Sequence, residues 1–416
     1  MQITGWRLLI SNHLRNKVFT VNCGSSSIKF GVYNLDDYVL IASGQLEKIG
    51  SAESRFRQKR LTEEGTYETR DITLPIADHW EGFEFIMKCN VDDRVIKDDS
   101  ELFGIGHRVV HGGELFHKPT LIDDDVIATI RKLIPLAPLH NPHNLLGIEV
   151  AHKRLPHVPQ VAVFDTAFHQ TLPPHAYHYA LPYELYTDYN VRRYGFHGTS
   201  HHYVAKKAAQ HLGKTLEEVN LITLHLGNGA SAAAIHKGKC IDTSMGLTPL
   251  EGLVMGTRCG DLDPAVHFYL MRQTGMSPEE IETLLNFRSG LKGTCGTNDM
   301  RLIQQHVQEG NDRAILALDL FCYRIKKYIG AYLSVIGKVD VVVFTGGIGE
   351  NSVLVREKAC SGLEHLGITL DAQRNEAASG SVSEIHKNGS ALKVMVIATD
   401  EELEIAHQTI ETIKTR

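Results

Sequence analysis

The stretch VFTVNCGSSSIKFGVYNL, residues 18–35, decides how the rest of the chain is read. An apolar run from Val18 to Val21 leads into Asn22, Cys23, Gly24 and three serines, and Ile28, Lys29 and Phe30 then resume an alternating, strand-like pattern. This predicts a hairpin whose turn is crowded with hydrogen-bond donors. A Gly/Ser turn exposes backbone N–H groups and hydroxyls on one side, a concavity that holds anionic oxygens well. Lys29 adds a point charge, and Asn22 offers an amide to a phosphate or a metal. A merely solvated surface hairpin has the same composition, so on this turn alone the two readings are even.

The same pattern recurs in the second half. VNCGSSSIKFGVYN (21–34) lies over LHLGNGASAAAIHK (224–237), with Gly24 on Gly227, Ser25 on Asn228 and Ser27 on Ala230. Both segments are a strand, a glycine-containing polar turn and a strand; two copies of one fold, each donating a turn to a shared cleft, would explain this, and the match alone does not separate that reading from a chance likeness of two β-hairpins. Further along, QVAVFDTAF, NLITLHLGNGA and VDVVVFTGGIG are apolar runs ending in small or polar turns, and DRAILALDLFCYRIKKYIGAYLSVIG reads as one long helix. Strands alternating with helices argue for an α/β protein. Thr62 to about Thr73 reads as polar hairpin material.

With 416 residues, the chain is long enough for two domains. Hydrophobic residues make up 43% and charged residues 22%, an ordinary globular composition. The net charge of −6 argues against a nucleic-acid partner. No apolar run reaches the ~18 residues that span a bilayer. Seven scattered cysteines without a CxxC pair point to reduced thiols and a cytoplasmic location. Residues 1–17 read as an extension, or an added strand or helix, rather than a signal peptide.

FTGGIGENS (344–352) is a further glycine turn, following a buried strand and preceding the helical pattern NSVLVREKACSGLEHLG. A helix N-terminus there favours an anion. It lacks the Lys-Ser/Thr of a Walker A turn, and no GxGxxG occurs. Arg108 in IGHRVVHGG and Arg258 in GTRCGDLDP sit beside glycines, where a guanidinium can approach an anion with two N–H groups. Asp165 closes a strand in VFDTAFHQT. His197, His201 and His202 lie in RRYGFHGTSHHY; no acid or thiolate stands near them in sequence, which places a structural or transition-state role above zinc. The residues alone thus indicate a phosphoryl-transfer enzyme using two arginines, a carboxylate and a histidine.

The motifs NCGSSSIKF, GHRVVHGGE, APLHNP, VAVFDTAFHQT, RRYGFHGTSH, HLGNGAS, DTSMGLTPLEGLVMGTR, FTGGIGEN and TDEEL together resemble those of the acetate and propionate kinases of the actin-like ATPase superfamily. The resemblance runs from Val18 to the C-terminus. It implies two duplicated ribonuclease-H-like domains: residues 1–165 completed by a C-terminal helix at 400–416, and residues 166–399. It implies direct in-line transfer between ATP and acetate, giving ADP and acetyl phosphate, in a cytoplasmic homodimer with no nucleic-acid or membrane partner. Asp165, His197, Arg258 and Arg108 would be catalytic, with Arg108 also binding the carboxylate. Val110, Leu139, Phe196 and Pro249 would wall the acyl methyl group. Ser25, Ser27, Lys29, His225, Leu226, Gly227, Asn228, Gly229, Asp299, Met300, Arg301, Gly347, Ile348, Gly349, Glu350 and Asn351 would hold ATP or its phosphates. Asn22 and Glu401 would organise Mg2+, with Mn2+ as a substitute. Cys259 stands where the family pattern has serine, GTNDMR replaces a serine-containing turn, and Asp400 replaces a frequent asparagine. The rival readings are a propionate kinase of the same family and a non-catalytic actin-like nucleotide-binding protein.

Overall fold

A computed structural model describes residues 15–416. Most of the extension expected over residues 1–17 lies outside the described residues, and Lys17 opens the first strand. The chain divides into two compact units: one contains the described residues up to Ala167 together with Asp400–Arg416, and the other spans Phe168–Thr399.

The first unit is built on β1 (Lys17–Gly24), β2 (Ser27–Asn34), β3 (Leu40–Glu47), β4 (Ser51–Leu61), β5 (Tyr67–Ile76), β6 (Leu102–Val109), β7 (Thr120–Leu121) and β8 (Gln160–Phe164). They form one sheet in the order β5-β4-β3-β2-β1-β6-β8-β7. Its centre is an antiparallel meander, β1 to β3, joined to the parallel strands β6 and β8. The second unit has β9 (Asn220–Leu226), β10 (Ala230–His236), β11 (Lys239–Thr243), β12 (Val341–Thr345), β13 (Val382–Glu384) and β14 (Lys393–Ile397), in the order β11-β10-β9-β12-β14-β13. Here too an antiparallel meander is joined to two parallel strands. The central order, third-second-first-fourth-fifth, is therefore the same in both units. This is the ribonuclease-H-like arrangement, present twice.

The repeat holds on its first strand but not, as an ungapped match, on its second. In the first unit Asn22 faces Lys29 and Gly24 faces Ser27, so the turn is Ser25-Ser26. In the second unit His225 faces Ser231 and Leu226 faces Ala230, so the turn is Gly227-Asn228-Gly229. Between the equivalent pairs Cys23–Ile28 and Leu226–Ala230 the first unit has four residues and the second three, so the second turn is one residue shorter and Ser27 corresponds to Gly229, not Ala230. Because side chains alternate across a strand, a one-residue shift decides which face a residue serves.

The hairpin expected at Thr62–Thr73 extends further on both sides, as β4 and β5 with a turn at 62–66. The long helix Asp312–Ile336 is capped at Asn311, whose side chain accepts the Ala314 N–H, and stops at Gly337. The segment after β12 departs from expectation. Gly346–Asn351 already forms a helical turn, and the following helix, Val353–Cys360, ends where Ser361 and Gly362 break it.

The C-terminal helix Glu401–Lys414 lies across β1, β6 and β8 in the first unit. The glycines of β6 make room for it: a Cβ on Gly104 would overlap Ile413, and one on Gly106 would overlap Thr409 and Ile405. The opposite face of the sheet packs Phe19, Val21, Ile28 and Phe30 against Phe83, Ile86 and Met87 of the helix His79–Asp92. All seven cysteines are free. Because the helix cannot retreat without uncovering Ile405 and Ile410, Gly106→Ala should destabilise the protein by about 1–3 kcal/mol through overpacking. Urea unfolding checks this; an unchanged midpoint would mean the helix shifts freely.

Candidate active site

In the first unit the parallel strands β1, β6 and β8 bring their C-terminal ends to one edge of the sheet, where ligands of open α/β sheets bind. Asn22 lies near the end of β1, Arg108 near the end of β6, and Asp165 directly after β8, its N–H donating to Val109 O at 3.0 Å. Arg108 donates from Nε (3.0 Å) and Nη2 (2.5 Å) to Oδ2 of Asp165. Asp165 is fully buried and Arg108 half-buried. Burial opposes the arginine's charge, but Asp165 and Glu401 outweigh it, so the guanidinium holds its proton more tightly than a free arginine. Nη1 of Arg108 has no partner among the described residues.

Glu401 opens the C-terminal helix, and Asp400 caps it by accepting the Leu403 N–H at 2.9 Å. The aspartate in place of asparagine thus still caps. Burial pushes the Glu401 carboxyl up to about 7; Arg108 and Lys29 favour its charged form, while Asp165 and Glu402 oppose it. Its Oε1 is buried without a hydrogen-bond partner. Asn22 and Lys29 face each other across the hairpin, Ser25 and Lys29 are exposed, and Ser27 is half-buried. Val110 is buried, whereas Leu139, expected beside the substrate methyl, is 51% exposed and contributes no buried wall within its own unit.

Two residues with a clear structural task here were not singled out from sequence. Asn144 donates from Nδ2 to Cys23 O (2.8 Å) and accepts Val110 N–H on Oδ1 (3.0 Å). Asn141 accepts His111 N–H (3.1 Å) and donates to His111 O (2.9 Å). One turn apart at the start of the helix Asn141–Arg154, they present amides on one face. The spacing within NPHN was the available signal.

In the second unit His197 precedes the helix Gly198–His211 and takes a left-handed backbone, φ 56°. Its Nδ1 lies 2.9 Å from Ser231 Oγ, and its ring stacks on His225 at 4.3 Å between centroids. His225 Nδ1 meets Ser200 Oγ at 2.8 Å. His169 donates from Nε2 to Phe196 O (2.9 Å), holding the backbone just before His197, while the Phe196 side chain is buried. Arg258 donates from Nη1 to the carbonyl of Pro249 at 3.3 Å. It has no carboxylate partner among the described residues, and burial lowers its pKa. A Cβ built on Gly229 would lie 3.2 Å from Nε2 of His197 and 3.5 Å from Nη1 of Arg258. Glycine at this turn therefore leaves open a spot that both donors flank.

The remaining nucleotide candidates divide by side-chain availability. Asn228 binds Asn298 through its side chain (3.0 Å) and Gly256 N–H through its carbonyl (3.0 Å). Asp299 caps the helix Met300–Gln308 and pairs with the exposed Arg301, which holds its carboxyl down at about 2. Leu226 and Met300 send their side chains into the core, so only their main chain can meet a ligand. Gly347 faces open space, and Asn351 donates back to its carbonyl at 2.8 Å. Ile348 is half-buried and Gly349 buried. The Glu350 carboxylate accepts Gly346 N–H (2.9 Å) and Thr399 N–H (3.1 Å), holding the end of β12 to the segment that follows β14.

The acetokinase family model matches residues 17–407. The chain belongs to the acetokinase family. It is 58% identical to acetate kinase of Syntrophobacter fumaroxidans over 399 residues, 96% of this chain and 97% of that one. Among solved structures it is similar to acetate kinase of Porphyromonas gingivalis (45% identity, TM-score 0.90) and to a propionate kinase from Francisella tularensis (42%, 0.88), covering 95% of this chain and 99% of each of those.

Within this acetokinase the Asn144 amide serves two buried main-chain groups that lie beyond the last paired residues of β1 and β6, Val21 and His107. Asn144→Ala would leave both without partners, and should cost about 2–6 kcal/mol given ~1–3 kcal/mol for each unsatisfied buried group. Urea unfolding of the variant measures it, and a loss below about 0.5 kcal/mol would show that water replaces the amide.

Proposed function

We propose that this acetokinase is an acetate kinase: a carboxylate oxygen of acetate attacks the γ-phosphorus of ATP, the bond from that phosphorus to the β,γ-bridging oxygen breaks, and ADP and acetyl phosphate leave. The observation that carries the reading is that His197 Nε2 and Arg258 Nη1 lie 3.2 and 3.5 Å from the position a Cβ on Gly229 would take, in a unit that gives Arg258 no carboxylate. Preorganised donors of this kind stabilise charge that develops on a phosphoryl group in transfer. Arg108, held in orientation by Asp165, presents Nη1 to the substrate carboxylate. Val110, Phe196 and Pro249 shape the acyl end. Lys29 and the serines of the first turn, with the glycine turns of the second unit, hold the phosphates.

The chemistry of the carboxyl groups fits Mg2+. This ion takes oxygen ligands, commonly one or two carboxylates with waters and substrate phosphates, and the partnerless buried oxygen of Glu401 near Asp165 is of that kind. No group of three or more His, Cys, Asp or Glu suited to a metal occurs among the described residues. Glu401, with Asn22, would hold the ion, directly or through water. When bound, it would neutralise phosphate charge during transfer.

We also place the protein in the cytoplasm as a homodimer. No helix among the described residues is long and apolar enough to cross a membrane. The helix Ala265–Thr274 buries none of its residues and exposes Phe268 and Tyr269, apolar surface of the kind subunit contacts cover.

The test is ADP formation with acetate and with propionate. Similarity to a propionate kinase structure keeps the longer acid as the second reading. A methyl-sized wall penalises an added CH2 by roughly 1–3 kcal/mol, more than the ~0.8 kcal/mol its burial returns. The expected kcat/KM ratio therefore favours acetate by about 10-fold. A preference for propionate reverses the substrate assignment, and no ADP with either acid removes the function.

Arg258→Ala separates activity from stability. Removing one preorganised donor costs about 10²–10³ in kcat, whereas a desolvated arginine without a carboxylate brings folding no ion pair to offset its burial. The variant should lose activity by that factor or more while its urea midpoint stays level or rises. Wild-type kcat, or a marked loss of stability, would contradict the assignment.

A further inference from the structure

Behind His197 the second unit holds a line of three wholly buried polar side chains. Thr223 Oγ1 lies 2.7 Å from Nδ1 of His201, Nε2 of His201 lies 2.8 Å from Ser231 Oγ, and Ser231 Oγ lies 2.9 Å from Nδ1 of His197. We propose that this chain has one direction, from Thr223 through His201 and Ser231, and that it fixes His197 as a neutral imidazole with its proton on Nε2.

The direction follows from the far end. Thr223 is 0% exposed, and the only side-chain partner of its hydroxyl among the described residues is His201 Nδ1. A buried hydroxyl proton without an acceptor is costly, so Thr223 donates and Nδ1 accepts. Burial drives the pKa of His201 well below that of an ordinary imidazole, and its single proton is then on Nε2. That N–H donates to Ser231, and the Ser231 hydroxyl, having accepted it, turns its own proton to Nδ1 of His197. Nδ1 is thereby occupied as an acceptor, and the proton of His197 is left on Nε2, the atom beside the vacancy at Gly229 that Arg258 also flanks. A cationic imidazole there would make Ser231 accept from both rings and leave its own buried hydroxyl proton without an acceptor in this line, next to a guanidinium that already disfavours a second positive charge. His197 is thus a fixed hydrogen-bond donor and transfers no proton. Thr223, His201 and Ser231 are positioning residues.

The chain behind His225 has no such direction. It runs from Ser200 to Thr399, which is half-buried and can exchange its proton with solvent.

The consequence for rate rests on the role proposed above for His197, but the tautomer itself does not. The full-length protein, labelled with 15N-histidine, is measured by long-range 1H–15N correlation, with His197 assigned from its absence in a His197→Asn variant. The expected spectrum shows unprotonated Nδ1 and protonated Nε2 for both His197 and His201. A protonated Nδ1 on either ring overturns the proposal. In Thr223→Val the directing donor is gone, so His197 should show both tautomers in exchange, and kcat should fall by at least about 10-fold with KM for ATP little changed. Thr223→Ser should restore both. Unchanged tautomers in Thr223→Val also overturn it. Tautomers that shift while kcat does not would uphold the chain and refute the catalytic role of His197.

Discussion

The first unit depends on how β1 and β6 part. They pair in parallel as far as Val21 and His107 and then diverge, which leaves Cys23 O and Val110 N beyond the ladder. Main-chain groups buried in such a gap need partners, and a single amide, Asn144, supplies both. The divergence is what gives the edge of the sheet its functional shape. It separates the hairpin that bears Ser25 and Lys29 from the strand that bears Arg108, and Asn141 extends the same support to His111. A sheet paired to its end would have no room for a ligand at this edge.

The second unit keeps the topology and changes the chemistry. Where the first pairs its arginine with a buried aspartate, the second leaves Arg258 among carbonyl and thioether contacts. The first arrangement fixes a side chain by charge; the second tolerates a desolvated charge without a carboxylate partner, a cost seen chiefly at functional sites. His197 adds a left-handed backbone at a non-glycine position, directly before the helix it precedes.

Much of this was legible in the sequence because it is local. The long helix, the strand ends with their glycine turns and the first strand of the repeat show in the order of apolar and small residues. The residue missing from the Gly227–Gly229 turn relative to the first hairpin was not visible, because an ungapped match hides a one-residue deletion and only cross-strand pairing exposes it. Asn144, Ser231 and Thr223 were missed for a different reason. Amides and hydroxyls are common, and what they do is set by partners far away, 121 residues in the case of Asn144 and Cys23. Glu350 read as part of a glycine turn, yet its partners include Thr399, which no local pattern connects to it.

The two bare glycines of β6 have a consequence in time. The strands they belong to leave the ribosome early, but the side chains that cover them, Ile405, Thr409 and Ile413, come after the entire second unit has been made. One face of the first sheet therefore stays uncovered through most of synthesis, while every residue of the later unit is available before the earlier unit can close. Since chain segments that expose apolar surface are the ones that misassemble, the order of completion runs opposite to the order of synthesis, and the last helix acts as the closing piece of the half that was begun first.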